Sequence, residues 1–402
     1  MEDISTRCVV AGGGPAGIML GYLLARSGVD VVVLEKWPDF FRDFRGDTIH
    51  PSTMQVLHEL GLLEEFLQLP HSEMQQMAAH IGGQEIVMAD FTRLKVRCPY
   101  IAFIPQWDFL NFLTAKAKSF PSFRIMMETE ATDVLSENGK VTGVRAKNKD
   151  GEFTIKAELV VGADGRHSTV REKAQLLQKD LGAPIDVLWF RLSRKDDGTK
   201  KSLGYIDAGA GLVLLDRNDY WQCGYIIKKG GFADLEARGL ESFKNDIANL
   251  APFLTETVAE LKEWDQVKLL SVAVDYLPVW YKAGLICIGD SAHAMSPVGG
   301  VGINLAVQDA VATANILIPA FKRGVPTVDD LAEVQARREM PARRIQKLQV
   351  FMHKRVFGAV INKTGHMQLP WFMQVMRRIP YLQKIPAYII GIGFRPEHVE
   401  IK

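Results

Sequence analysis

Six consecutive residues, Gly12-Gly13-Gly14-Pro15-Ala16-Gly17, place glycines at the spacing G-x-G-x-x-G. Missing side chains at Gly12, Gly14 and Gly17 let backbone N–H groups approach a pyrophosphate, with the positive end of the following helix behind them. Glu35, 18 residues past Gly17, stands where a carboxylate accepts hydrogen bonds from ribose hydroxyls. Lys36 beside it leaves a phosphorylated ribose open, so this motif does not choose between flavin and nicotinamide dinucleotides. A second chemistry-bearing region lies far downstream, in Gly289-Asp290 and in Pro297-Val298-Gly299-Gly300-Val301-Gly302-Ile303-Asn304. Its glycines strip side chains from a loop that opens a helix, so N–H groups and the helix dipole can stabilise negative charge. His50 and His293 invite a catalytic reading, but neither has a Ser, Cys or carboxylate partner at a recognisable spacing. His293 reads as a histidine satisfied by backbone hydrogen bonds.

These groups need rigid supports, and the pattern of apolar residues supplies them. Arg7 to Ala11 and Val31 to Leu34 read as strands and Pro15 to Arg26 as a helix, together one βαβ unit. Helices are expected from Pro51 to Leu60 and from Trp107 to Lys118, with short strands around Phe123 to Met127, Ala131 to Leu135 and Val141 to Lys147. The Leu159 to Gly162 strand ends in a polar turn at Asp164-Gly165. Between Pro184 and Lys228 short β runs alternate with Gly and Asp turns, the mark of an antiparallel sheet distinct from the first unit. Phe232 to Leu250 has helical spacing, Lys268 to Tyr276 and Gly284 to Gly289 read as strands, and a helix follows through Ala306, Ala310 and Ala314. Beyond Val328 the chain reads as helix or irregular.

The whole chain, 402 residues with a formal net charge of +1, 47% hydrophobic and 24% charged, has the balance of a globular protein. That excludes a disordered chain, a fibrous repeat and a basic nucleic-acid binder. Single cores stop growing near roughly 250 to 300 residues, so more than one packed unit is expected. The apolar stretches Gly14 to Ala25 and Ile385 to Phe394 are shorter than a bilayer crossing requires, and no transmembrane segment is expected. The start, Met-Glu-Asp-Ile-Ser, is unlike a secretory signal. Cys8, Cys98, Cys223 and Cys287 lie far apart, without metal-ligand spacing, and read as buried thiols of a reducing, cytoplasmic compartment. Arg337 to Arg355 is basic and amphipathic, which suits either a peripheral contact with an anionic membrane or acidic partner, or a solvated face of a helix packed on the first unit.

Ala163-Asp164-Gly165-Arg166-His167-Ser168-Thr169-Val170-Arg171 and Cys287-Ile288-Gly289-Asp290-Ser291-Ala292-His293-Ala294-Met295-Ser296-Pro297 resemble the paired DG and GD motifs of class A flavoprotein monooxygenases, the para-hydroxybenzoate hydroxylase-like enzymes. With the first glycine motif and the run to Ala306, four ordered signatures span about three quarters of the chain. The resemblance implies an α/β fold: a Rossmann-like FAD-binding domain interrupted by an antiparallel β-sheet substrate domain, followed by C-terminal helices. The corresponding segments are 1–72, 98–182 and 268–330 for FAD, 73–97 and 183–267 for substrate, and 331–402 for the C-terminal helical region.

The resemblance further implies roles. Gly12, Gly14, Pro15, Ala16, Gly17, Glu35, Lys36, Arg45, Gln106, Asp164, Asp290, Pro297, Gly300, Gly302, Ile303 and Asn304 would contact FAD, with Pro297 and Gly299 as the flavin environment of catalysis. Asp290 would bind a ribityl hydroxyl, and Asp164 either touches the cofactors or closes a turn with Arg171. Thr48 and His50, and on the antiparallel sheet Leu188, Phe190, Leu212, Leu214, Trp221 and Cys223, are the substrate-pocket candidates, although core packing accounts equally for the apolar ones. The implied activity is hydroxylation of a small aromatic, phenolic or polycyclic compound with NADPH or NADH and O2, through a flavin C4a-hydroperoxide. A flavin oxidoreductase without oxygen insertion, or a flavoprotein that sequesters an aromatic ligand, are the alternatives. Trp221-Gln222-Cys223-Gly224-Tyr225-Ile226 lacks the second tryptophan of halogenating relatives, and no second G-x-G-x-x-G marks a separate nicotinamide domain. Neither metal nor nucleic acid is expected, and the chain is read as monomer or homodimer.

Overall fold

The computed structural model describes residues 4–41, 47–195, 203–207, 209–217, 219–353 and 371–401. Arg45, with Arg42, lies outside the described residues. The first unit is built from β1 (Ile4–Ala11), α1 (Pro15–Arg26), β2 (Val31–Leu34), β3 (Phe123–Met126), β4 (Gly151–Gly162), β5 (Leu285–Cys287), α2 (Gly302–Arg323) and α3 (Val328–Met352). Its strands run in the order β5-β4-β1-β2-β3, all parallel. Cys8 to Ala11 and Val31 to Leu34 are buried on both faces, as the unbroken apolar runs of a covered parallel sheet require. A hairpin of Glu130–Glu137 and Lys140–Asn148 turns at Asn138 and Gly139, both at positive φ, and adds to β4. Two residues in that conformation make the turn whose twist matches its flanking strands.

The second unit is a seven-stranded sheet in the order Lys268–Leu270, Ile185–Ser193, Tyr220–Lys228, Ala210–Asp216, Gly204–Asp207, Gln76–Ile81, Gln84–Asp90. Helices Phe232–Arg238 and Leu240–Leu250 cover one of its faces, burying Phe243 and Ile247 against Phe190 and Tyr225. The single helix expected from Phe232 to Leu250 is in fact two, because Gly239 at φ +87° ends the first and starts the second. The C-terminal helix Lys384–Gly391 reaches from α3 to the Gln84–Asp90 strand and so packs on both units.

α2 is long and apolar enough to cross a membrane, but it is a core helix with its apolar residues inside the protein. The charged stretch of α3 is in part turned inward, while Arg344 and Lys347 are exposed and Lys354 and Arg355 lie outside the described residues. Arg338 is 1% exposed and paired with Asp309 and Glu397, while Arg337 holds Glu397 and Glu400. All four cysteines are buried and unbridged.

Candidate active site

The first glycine motif folds as a strand, a turn and a helix whose first residue is Pro15. Its glycines do different work. Gly12 sits at φ +106° with Ala163 against the space a Cβ would need, and a Cβ on Gly17 would collide with the Gly12 carbonyl oxygen. A Cβ on Gly14 meets nothing within 4 Å. Gly12 and Gly17 therefore close the turn, and Gly14, N-cap of α1, borders the open cradle at the positive end of the helix. Glu35 lies at the end of β2, where Oε2 accepts the Gly13 N–H (3.1 Å) and Oε1 the Trp37 N–H (3.1 Å). Lys36 is half exposed and pairs with Glu130 at 3.8 Å.

The downstream motifs converge on the same place. A Cβ on Gly289 would stand 3.2 Å from that of Ala16 and 3.6 Å from that of Ala306, so three small residues let the Gly289-Asp290 turn sit between α1 and α2. Asp290 is partly exposed at this turn and makes no hydrogen bond among the described residues. Asp164 instead spends both oxygens on its own turn, accepting from Ser168 Oγ (2.5 Å) and the Val170 N–H (3.1 Å). Arg171 donates to the carbonyls of Ser291 (3.0 Å) and Arg166 (2.6 Å), tying that turn to the Gly289 one.

Gly299 and Gly300 adopt φ +85° and +63°, and Gly302 opens α2 with no atom within 4 Å of a would-be Cβ. Thr48 Oγ1 donates to the Gly300 carbonyl (2.9 Å), and a side chain on Gly300 would strike Thr48. Ile303 and Asn304 form the buried first turn of α2. Asn304 Oδ1 accepts the His50 N–H (3.1 Å) and the Thr53 hydroxyl (2.6 Å), which fixes the amide and leaves Nδ2 buried without a partner. Pro297 is half-buried, its carbonyl accepting the Gly300 N–H (3.0 Å). From behind, Gln349 of α3 clamps the loop, donating to the carbonyls of Ser296 and Val298 (both 2.9 Å) while accepting the Ser296 N–H (3.2 Å).

His50 is fully buried, and its Nδ1–H donates to the Ile390 carbonyl at 2.7 Å, so the ring is neutral and pins the C-terminal helix. Burial pushes its pKa down to about 4, with the Ile390 hydrogen bond opposing. A pKa below the unfolded value of about 6.5 means the unfolded chain binds the extra proton, so His50 is neutral with respect to stability above that value and destabilising as pH falls toward 4. We expect acid unfolding to begin below about pH 6.5, and a His50→Gln variant, tested by thermal melts from pH 7 to 4, to lose stability less steeply.

Behind the glycine loop lies a buried charge network that the spacing of residues in the sequence does not reveal. His293 Nε2 meets Asp309 Oδ2 at 2.6 Å, the Gly289 N–H donates to the same oxygen (3.0 Å), and Arg338 Nε donates to Oδ1 (2.9 Å). Burial opposes charge on both partners. Even so, Asp309 raises the His293 pKa, while His293 and Arg338 hold that of Asp309 below the ordinary value. His293 thus meets a carboxylate through Nε2, not backbone as expected, and its buried Nδ1 has no partner among the described residues.

The substrate sheet shows a change of face. Leu188, Phe190, Leu212, Leu214, Trp221 and Cys223 point into the core beneath the two covering helices. The opposite face carries Ile185, Val213 and Ile226, which pack against Val298 of the glycine loop. Further along it, Arg217 ion-pairs with Asp47 and donates to Gln222 Oε1 (3.0 and 3.1 Å). Burial lowers the Arg217 pKa only to about 10, so it stays charged at neutral pH. Asp47 also accepts the N–H of Gln106, the first residue of helix Gln106–Ala117, at 3.1 Å.

A glycine-bordered helix end at Gly14, a second at Gly302, the Asp290 carboxylate and the orphaned Asn304 amide fit a flavin dinucleotide: diphosphate at α1, ribityl hydroxyls at Asp290, ring edge at α2. This defines a two-unit, dinucleotide-binding flavoprotein. The chain matches the FAD binding domain family over residues 5–346 and belongs to it. It is 32% identical over 392 residues to a 6-methylpretetramide 4-monooxygenase from Streptomyces rimosus, covering 94% of this chain and 93% of that one. It is 27% identical to a para-nitrophenol 4-monooxygenase from Pseudomonas sp. (strain WBC-3), covering 79% of each. Among solved structures, the anhydrotetracycline hydroxylase from Streptomyces rimosus superposes with a TM-score of 0.76 at 19% identity, over 96% of this chain and 76% of that one. The chain is an FAD-dependent monooxygenase of the class A aromatic hydroxylase type.

Asp290→Ala should weaken FAD binding by about 1 to 3 kcal/mol, the worth of a lost acceptor in a partly buried site. The ratio of flavin to protein absorbance after gel filtration measures it, and a variant as yellow as the parent contradicts the role.

Proposed function

We propose that this enzyme hydroxylates a polycyclic, phenolic aromatic compound of the polyketide kind, using NADPH or NADH and O2. The near full-length similarity to a 6-methylpretetramide 4-monooxygenase carries the substrate class. Bound FAD supplies hydride acceptance and oxygen activation. The chain supplies placement: Gly14 and Asp290 would hold the diphosphate and ribityl ends, and Asn304 Nδ2 with the first turn of α2 would offer donors to the ring edge, where they would favour negative charge. Thr48 and Gln349 fix the Pro297–Gly300 loop from two sides.

The substrate lies between that loop and the sheet face of Val187, Trp189, Val213, Gly224 and Ile226. Apolar residues on this face keep water from the oxygen chemistry, where water diverts the oxidant to H2O2. The domain limits proposed at 72, 98, 182 and 330 are kept, while that at 268 moves past Lys268–Leu270, which pairs with Val187 to Trp189 of the substrate sheet. The unbridged thiols support a reducing, cytoplasmic setting.

The test is to purify the chain with bound FAD and follow NADPH and NADH oxidation with 6-methylpretetramide, anthraquinone phenols and p-nitrophenol under 18O2. A product carrying one 18O atom with a polycyclic phenol confirms the reading. Stimulated oxidation that yields only H2O2 or a dehydrogenated product with every compound overturns it.

A further inference from the structure

Gln222 is 4% exposed on the sheet face turned toward the glycine loop, and its two ends have different fates. Oε1 accepts two hydrogen bonds from Arg217, whose guanidinium offers only donors, so the amide cannot be flipped. Nε2 therefore points away from Arg217, buried and without a partner. An unmet buried donor is destabilising, a penalty that leucine of similar volume would not incur. Arg217 is itself anchored by Asp47, which caps the helix at Gln106 and directly precedes Thr48, the residue holding Gly300. A chain of fixed contacts thus runs from the flavin loop region to one amide on the substrate sheet.

The surroundings specify what that amide meets. Along the same face Gly224 has no side chain, and the Trp189 ring takes its place, 3.0 to 3.1 Å from where a Cβ would stand. Ile185, Val213 and Ile226 continue the surface to Val298. The face is apolar around Gly224 and Trp189 and carries the oriented Gln222 amide toward one end, beside Arg191 and Arg217, the composition of a site that takes an apolar ring system and fixes its rotation by polar contact.

We propose that Gln222 Nε2–H donates a hydrogen bond to a phenolic oxygen of the substrate, and that the Asp47–Arg217 pair acts as positioning residues that keep this donor aimed. The inference deepens the hydroxylation reading, on which it rests. It makes Gln222 the residue that selects phenolic over unhydroxylated polycycles and sets which ring carbon faces the flavin.

The test uses the FAD-loaded protein and two probes, 1,8-dihydroxyanthraquinone and unsubstituted anthraquinone, with binding read from the perturbation of bound-flavin absorbance. The parent should favour the dihydroxy probe by about tenfold or more. Gln222→Leu should lose about tenfold in affinity for that probe and nothing for anthraquinone. Gln222→Glu keeps an acceptor for Arg217, so the fold is supported, but replaces the donor by a carboxylate, and it should lose at least as much selectivity. A parent that binds both probes equally, variants that keep the parental preference, or a Gln222→Glu variant that loses FAD rather than probe selectivity would overturn the proposal. Oxygen incorporation by the parent is scored separately: its absence with selectivity intact sinks the monooxygenase reading and not the role of Gln222.

Discussion

Asp309→Ala should cost about 3 to 5 kcal/mol of folding stability, the penalty for stranding buried charge. Asp309 is 0% exposed, and its two oxygens serve Arg338, His293 and the Gly289 N–H. Without the carboxylate, Arg338 keeps only Glu397 and the Arg395 carbonyl at 3.3 to 3.4 Å, and His293 reverts to neutral. The pH signature follows from the directions of the shifts. The raised His293 pKa contributes stability that is complete below the unfolded imidazole value and lost as pH rises through its folded value. The lowered Asp309 pKa contributes stability present above the unfolded carboxylate value and lost as pH falls through the folded one. Parent minus variant should therefore be greatest from about pH 4 to 6.5, as measured by urea unfolding with and without FAD. A variant within 1 kcal/mol of the parent across that range would show the network to be worth no more than a surface pair.

Gly14→Val should abolish FAD retention and leave the fold intact. Because a Cβ there meets no protein atom within 4 Å, the new side chain strains nothing in the apoprotein. It occupies the approach that a diphosphate must use, and forced repacking at close contact costs about 1 to 3 kcal/mol or more, which corresponds to roughly ten- to more than a hundredfold in affinity. Gly17→Ala provides the contrast, since its methyl group collides with the Gly12 carbonyl and should lower the melting temperature of the apoprotein itself. Fluorescence titration with FAD and apoprotein melts separate the two outcomes. Normal FAD affinity in Gly14→Val removes the cradle assignment.

What could be read from residue order, and what could not, divides along physical lines. Glycine spacing between a strand and a helix is a local constraint, so Gly12 to Gly17 and Gly299 to Gly302 were legible as helix-opening turns. The substrate sheet was legible as a sheet but not by face. Ile185 to Leu192 is apolar at almost every position because both sides are buried, one under helices and one toward the flavin unit, and an unbroken apolar run carries no parity signal. Only the packing of Val298 against the cluster of Ile185 and Ile226 distinguishes the sides. The charge-rich α3 packs on the first unit, one of the two readings its composition left open, but counting Arg337 and Arg338 says nothing of Asp309 or Glu397, which reach them through tertiary packing alone. Gln222 and Arg217 carried no motif, and an unmatched donor becomes visible only when every neighbour is placed.

The segment around Glu397 gives the network a temporal dimension. Its carboxylate binds Arg337 and Arg338, its N–H binds Gln308, and the neighbouring His398 and Val399 hold Glu59. During synthesis at about 5–20 residues per second, Asp309 leaves the ribosome roughly 5–20 s before these residues. Throughout that interval the nascent chain carries the Gly289 turn and its aspartate without the strap that completes their surroundings. We therefore expect cofactor loading to follow emergence of this segment: ribosome-bound chains arrested before residue 395 should fail to capture the flavin that finished chains hold, as read by flavin fluorescence.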